Sequence, residues 1–262
     1  MSPSPASRVV LVTGGAQRIG RAIALHLAQG GWRVAVHYRN SAAAAAQAVA
    51  AVREAGGVAE AVAADLADEA ECQALVPAVR EAFGRIDAVV NNASLFEYDD
   101  VAGFTVARLE AHFRANTAPA ILLARALHAA LDEGATGCVV NLLDQKLWNP
   151  NPDYLSYTLS KAALECASTL LAQALAPRVR VCGVAPGVTL LSGAMSDAEF
   201  IASHRMTPLQ RSSTPEDVAA AVRYLLDAPA VTGTTLLVDG GQHLQPQGRD
   251  VMFLARDAGT KA

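Results

Sequence analysis

The chain has 262 residues, 52% of them apolar and 18% charged, with a formal net charge of -4. That is enough apolar material for the core of one large α/β domain, and the absence of a basic stripe excludes nucleic acid as an expected partner. No apolar run reaches the roughly 18 residues of a membrane span, and "MSPSPASR" has no charged n-region leading to an apolar h-region, so residues 1–7 are expected to be a short flexible tail on a cytoplasmic protein.

Apolar runs then alternate with amphipathic segments. "RVVLVTGG" (8–15) reads as a strand, followed by the helix "QRIGRAIALHLAQGG", ended by Gly30 and Gly31. "WRVAVHYR" (32–39) is a second strand, and 41–57 an alanine-rich helix with Ser41 as cap and a glycine stop. "VAEAVAADL" (58–66) is a third strand, with a helix over about 68–83 that ends near Gly84. "IDAVVNNAS" (86–94) is the fourth, followed by one long helix over about 105–131 with a kink at Pro119. "GCVVNLLD" (137–144) is the fifth, followed by a helix over 154–176. "VRVCGVAPG" (179–187) is the sixth, and 188–213 is irregular, a candidate lid. The helix 215–228, capped by Thr214 with Pro215 at its first position, leads to the last strand, 234–241.

Strands that are apolar nearly throughout, separated by helices, imply an α/β fold. Its parallel sheet is doubly wound, covered on both faces in a single domain over 8–262. The four cysteines (72, 138, 166, 182) form no C-x-x-C pair and read as buried small hydrophobes, so no metal is expected. The tail holds one apolar patch, "VMFLA" (251–255), which would pack on a neighbouring subunit or belong to a partly disordered end.

The stretch "TGGAQRIG" lies where the first strand turns into a helix. Gly14, Gly15 and Gly20 let the backbone turn tightly and approach a diphosphate, whose charge meets the helix N-terminus. Arg18 stands where the commonest version of such a loop has another glycine. NAD sites usually hold an acidic residue at the end of the second strand; here stands "HYRNS", His37 to Ser41, with no acid. Arg39 can pair with a 2′-phosphate, and Ser41 lies at a helix N-terminus where an anion is welcome, which favours NADP. Asp65 either accepts from the adenine amino group or caps a helix.

Tyr157 and Lys161, in "YTLSK", are four apart and share a helix face. A neighbouring ammonium lowers a phenol's pKa and suits it to proton transfer. Trp148 lies on the loop before this helix, where it stacks on a ligand or packs. Lys146 and "NPNP" fit no pattern, and His204 in the lid is a remote candidate for substrate contact.

"TGGAQRIG", "NNAS" (91–94), Asn116, "YTLSK" and "APG" (185–187) come in the order and spacing of the short-chain dehydrogenase/reductase family, which the chain resembles from about residue 8 to 241. The resemblance implies a Rossmann fold, a nicotinamide cofactor, hydride transfer and a homotetramer built partly on the helices at 105–131 and 154–176. It makes Tyr157 the general acid, with Lys161 lowering its pKa and holding the ribose, and Asn116 supporting a relay water. The implied cofactor contacts are Gly14, Arg18, Ile19, Gly20, His37, Tyr38, Arg39, Asn40, Ser41, Asp65, Leu66, Asn92, Ala93, Ser94, Tyr157, Lys161, Pro186 and Gly187.

Two departures narrow the resemblance. The family's serine, thirteen residues before the tyrosine, is here Asp144, and Arg18 replaces a glycine. Both resemble the pteridine reductase branch, as do "HYRNS" and "NNASLF". That likeness gives Arg18, Ser94, Phe96, Asp144, Trp148 and Tyr157 as substrate contacts, with Phe96 stacking a pterin ring. A carboxylate suits the donors of a pterin better than a serine hydroxyl does. NADPH-dependent reduction of a dihydropterin is therefore expected. The alternatives are a carbonyl or 3-oxoacyl reductase and a catalytically silent NADP-binding regulator.

Overall fold

The computed structural model describes residues 7–191 and 195–259; residues 1–6 of the expected tail and 192–194 of the expected lid lie outside the described residues. In chain order the elements are β1 (Val9–Val12), α1 (Arg18–Gln29), β2 (Arg33–Tyr38), α2 (Ala42–Glu54), β3 (Val58–Ala63), α3 (Glu69–Phe83) and β4 (Ala88–Asn91). They continue as α4 (Val106–Asn116), α5 (Ala118–Ala130), β5 (Gly137–Leu142), α6 (Leu155–Ala174), β6 (Val179–Pro186), α7 (Asp197–Arg205), α8 (Pro215–Asp227), β7 (Thr235–Val238) and α9 (Val251–Gly259). The strands form one parallel sheet in the order β3-β2-β1-β4-β5-β6-β7.

The central strands are buried on both faces, which is why they read as continuous apolar runs. Successive side chains of β1 divide between two cores: Val10 and Val12 pack with α1, α2 and α8, while Val9 and Leu11 pack with α3 and α5. The order of the strands reverses between β1 and β4, and ligands bind sheets of this kind at the carboxyl ends flanking that point.

Helix boundaries follow local chemistry. Asp68 caps α3 by accepting from Glu71 N–H, and Gly84, at φ +79°, closes it. Thr214 and Asp217 form a capping box at α8. Asp68 rather than Asp65 is the helix cap; the Asp65 carboxylate accepts from Ala67 N–H in a local turn.

Three sequence expectations change. The long helix over 105–131 is two helices, α4 and α5, meeting at Thr117. Pro119 falls in the first turn of α5, where its missing N–H costs nothing, and Thr117 Oγ1 donates to Ser160 O at 2.8 Å. The irregular stretch 188–213 contains α7, whose capping box, Ser196 with Glu199, compensates for weak periodicity. The patch at 251–255 packs on this same chain, with Val251, Met252 and Ala255 buried. Of the cysteines, Cys72, Cys138 and Cys182 are buried and Cys166 is exposed. Among the described residues no helix is long and apolar enough to cross a membrane.

Candidate active site

The loop after β1 is held from two sides. Gly14 has φ +60°, and its N–H donates to His37 Nδ1 at 3.0 Å. His37 Nε2 lies 3.0 Å from Ala64 O, so Nε2 carries the proton and Nδ1 accepts. Burial lowers the pKa of His37, which keeps it in that neutral form. Gly20 packs so tightly that a Cβ would lie 2.1 Å from Gly14 O and 2.6 Å from Asn92 Nδ2. Asn92 Nδ2 itself donates to Thr13 O at 2.9 Å.

Arg18 opens α1 with φ +51°, the left-handed conformation that favours glycine. The backbone therefore keeps a glycine's geometry where the side chain is an arginine. Its Nη2 donates to Leu191 O at 2.8 Å, across to the segment after β6.

The second half of the site grows from the ends of β5 and α6. Tyr157 Oη donates to Asp144 Oδ2 at 2.9 Å, and Asp144 Oδ1 accepts from Lys146 N–H at 2.9 Å. Burial raises the pKa of Asp144. Burial, and then the charge of Asp144, raise Tyr157 well above the ordinary phenol value. Lys161 Nζ donates to Leu142 O at 2.7 Å and lies 5.8 Å from the Tyr157 ring centroid; burial brings it down to about 8. In this arrangement burial and Asp144 dominate the Tyr157 pKa, and Lys161 is not among its causes.

The N-terminus of α6 is anchored from outside. Buried Asp99 accepts from Ser156 N–H at 2.9 Å and from Ser156 Oγ. It supplies the cap that Tyr154, itself at φ +55°, does not. Asn116 Nδ2 donates to Leu95 O at 3.0 Å and Ser160 Oγ at 2.9 Å; its Oδ1 accepts from Leu95 N–H at 2.7 Å and Ser94 Oγ at 3.2 Å. These bonds fill the capacity of the side-chain amide, so Asn116 braces the loop bearing Phe96. Phe96 stacks on Tyr154 at 4.3 Å between centroids and meets Tyr157 edge-on at 4.7 Å.

Two openings meet at these residues. A groove of about 860 Å³ is lined by Gly14, Arg18, Ile19, Gly20, His37, Arg39, Asp65, Leu66, Asn92, Ala93 and Ser94 among others. A cavity of about 240 Å³ is lined by Asp144, Lys161, Pro186 and Gly187. Arg18, Ile19, Asn92, Ser94, Phe96 and Tyr157 line both.

The structure does not bring every expected residue there. Tyr38 packs against the core, and Asn40 and Ser41 are exposed and line neither opening. Trp148 is 39% exposed and off the cavity wall, because its turn buries Gln145 and Lys146 instead. His204 Nδ1 accepts from Ser212 N–H and does not reach the cavity. Sequence reasoning missed Tyr154, Gln145, Lys146, Gln242 and the tail residues Asp250, Val251 and Met252, all on the cavity wall.

A family model described as Enoyl-(Acyl carrier protein) reductase matches residues 14–243. The chain belongs to the short-chain dehydrogenase/reductase family. Within it, the chain is 41% identical to the FolM alternative dihydrofolate reductase 1 of Brucella canis, crystallised with NADP; the match covers 94% of this chain and 97% of that one at a TM-score of 0.88. It is 32% identical to pteridine reductase 1 of Leishmania tarentolae, over 93% of this chain and 99% of that protein. It is 33% identical to the 3-oxoacyl-[acyl-carrier-protein] reductase of Synechocystis, over 90% and 96% respectively. The likeness to the pteridine reductase branch of the family thus extends from motifs to whole chains.

Proposed function

We propose that this member of the short-chain dehydrogenase/reductase family is an NADPH-dependent reductase acting on a dihydropteridine or a related bicyclic ring. The observation that carries the reading is the hydrogen bond from Tyr157 to Asp144, facing a cavity walled by Phe96 and Arg18. The Brucella and Leishmania relatives support the same direction.

The groove suits the cofactor. The N-terminus of α1 has no side-chain cap and no acidic residue in its first turn, so its N–H groups are left for a diphosphate. Arg39 lines the groove at the end of β2 and offers a guanidinium to a 2′-phosphate. Asp65 and Leu66 would face the adenine end, and Asn92, Ala93, Ser94, Lys161, Pro186 and Gly187 the nicotinamide end. NADPH supplies the hydride when bound.

The protein's own part is the proton and the orientation of the ring. Reduction of a ring C=N bond needs a proton at nitrogen. The phenol of Tyr157 stays protonated through neutral pH and is aimed by Asp144. Asp144 holds a proton more readily than an exposed carboxyl and can pair with amino and N–H donors of the pyrimidine ring. Phe96 keeps 43% of its surface exposed, an apolar platform for a planar ring. The test is NADPH oxidation with dihydrobiopterin, dihydromonapterin and dihydrofolate; no turnover on any of them would sink the substrate assignment.

The Synechocystis relative favours a second reading, a carbonyl or 3-oxoacyl reductase. Asp144 opposes it in its ionised form, which accepts from Tyr157 and does not donate to a ketone oxygen as a serine hydroxyl does. Ketone activity retained or improved in Asp144→Ser would favour it. A silent regulator is disfavoured because Tyr157 and Lys161 both line the cavity. We propose a homotetramer on the exposed apolar residues Val106 and Phe113 of α4 and Leu159 and Leu170 of α6. A monomer mass by light scattering would end that proposal.

A further inference from the structure

We propose that the C-terminal segment 247–252 is a specificity-determining strap across the substrate cavity. It is latched by Lys146 to Asp250 and by Asp153 to Arg249, and it favours a compact ring over one with a long substituent. Gln247, Asp250, Val251 and Met252 line the cavity and not the groove. If the cofactor fills the groove, a substituent on the ring leaves on the side that the strap and residues 188–190 enclose.

The latch is built from groups that are costly to bury unpaired. Lys146 is only 4% exposed. Its Nζ donates to Asp153 O at 2.6 Å and to Asp250 Oδ2 at 3.3 Å. Its backbone N–H meets Asp144, so one residue joins the strap to the proton-handling pair. Asp153, 3% exposed, accepts from Arg249 Nε at 2.8 Å and Nη2 at 2.9 Å, and from Asp250 N–H at 2.7 Å. Asn149 Nδ2 adds a bond to Gln245 O at 2.5 Å.

Thus pinned, Met252 buries against Tyr154 and Tyr157, and Phe253 meets Tyr98 edge-on at 5.6 Å. Every anchor from Lys146 to Tyr157 belongs to the segment that carries Asp144 and Tyr157. A substrate that fits beneath the strap is held against the proton donor. A substrate with a long substituent has to displace Met252 or the latch. Lys146, "NPNP" and "VMFLA", which no motif explained, find a common role in this arrangement.

The latch stands without any assigned substrate, whereas the selectivity rests on the pteridine reading. Two measurements on the full-length protein with NADP separate them. The first is hydrogen exchange over residues 250–254 in the unaltered protein, Lys146→Met and Arg249→Ala. Exchange should quicken on the order of tenfold in both variants. Unchanged exchange in Arg249→Ala, a change at a half-exposed side chain that leaves the core intact, overturns the latch. The second is the ratio of dissociation constants for biopterin and folate. The unaltered protein should prefer biopterin, and Arg249→Ala should narrow the preference by about tenfold, the scale on which an apolar pocket discriminates by a single methylene. Binding with an unchanged ratio overturns the strap's role in selectivity. Binding of neither compound overturns the selectivity together with the pteridine reading, and the exchange result still decides the latch.

Discussion

Replacing Arg18 with glycine separates the backbone's requirement at this position from the side chain's. Arg18 holds φ +51° at the start of α1, a left-handed conformation that costs an L-residue about 1–2 kcal/mol. Glycine relieves that strain. It also loosens the unfolded chain, which costs about 0.4–1 kcal/mol. The exposed guanidinium loses its 2.8 Å bond to Leu191 O, worth about 0.5–1.5 kcal/mol. These opposing changes nearly cancel, so Arg18→Gly should move stability by about 1 kcal/mol or less, roughly 2–4 °C in Tm. Turnover should suffer more. A charge-assisted contact to cofactor phosphate and ring is worth about 1.5–3 kcal/mol, so kcat/KM for a dihydropterin should fall about 10- to 100-fold. Thermal melts beside steady-state kinetics read both. A large fall in Tm with unchanged kcat/KM would refute the assignment of Arg18 to the ligands. Gly20→Ala is the contrasting case, because its Cβ would lie 2.1 Å from Gly14 O and the loop itself would have to move.

In Asp144→Asn the carboxylate no longer opposes ionisation of Tyr157, so the phenol's pKa falls and the alkaline limb of the kcat profile should move to lower pH. A limb that stays in place would show that Tyr157 does not feel Asp144. Arg39→Asp should weaken NADPH binding far more than NADH binding, and equal losses measured by fluorescence titration would contradict the 2′-phosphate role. His37 has a lowered folded-state pKa, so below its ordinary value of 6.5 the unfolded chain takes up a proton that the folded chain resists. Stability should decline as pH falls through that region, and His37→Asn should flatten the decline in denaturant titrations; an identical slope would remove His37 as its source.

The fold was legible because its information is local. β1, β4 and β5 are buried on both faces, and an uninterrupted apolar run says so without reference to any partner. The break at Thr117 was not legible, since Pro119 serves a kink and a helix start equally well and the deciding bond goes to Ser160, far along the chain. The site divides in the same way. Tyr157 and Lys161 share a helix face by their spacing, and the family resemblance, with its serine thirteen residues before the tyrosine, singles out Asp144. Lys146 does not, because its partners are Asp153 and a carboxylate 104 residues away. "VMFLA" showed that an apolar face needs covering but not that the cover is Tyr154 and Tyr157 of its own chain. The stretch from His37 to Ser41 read as one cofactor motif, yet only His37 and Arg39 line the groove: Tyr38 turns onto the core, and Asn40 and Ser41 lie beyond the end of β2, exposed to solvent.

The proposed reaction requires a planar bicyclic ring held between Phe96 and the nicotinamide, with a ring nitrogen offered to Tyr157 and Asp144. A crystal structure with NADP and a bound pterin tests this most directly. It should show the ring stacked on Phe96, with a nitrogen within hydrogen-bond distance of Tyr157 Oη or Asp144. A pterin bound elsewhere, or a ring whose nitrogens turn away from both residues, would contradict it.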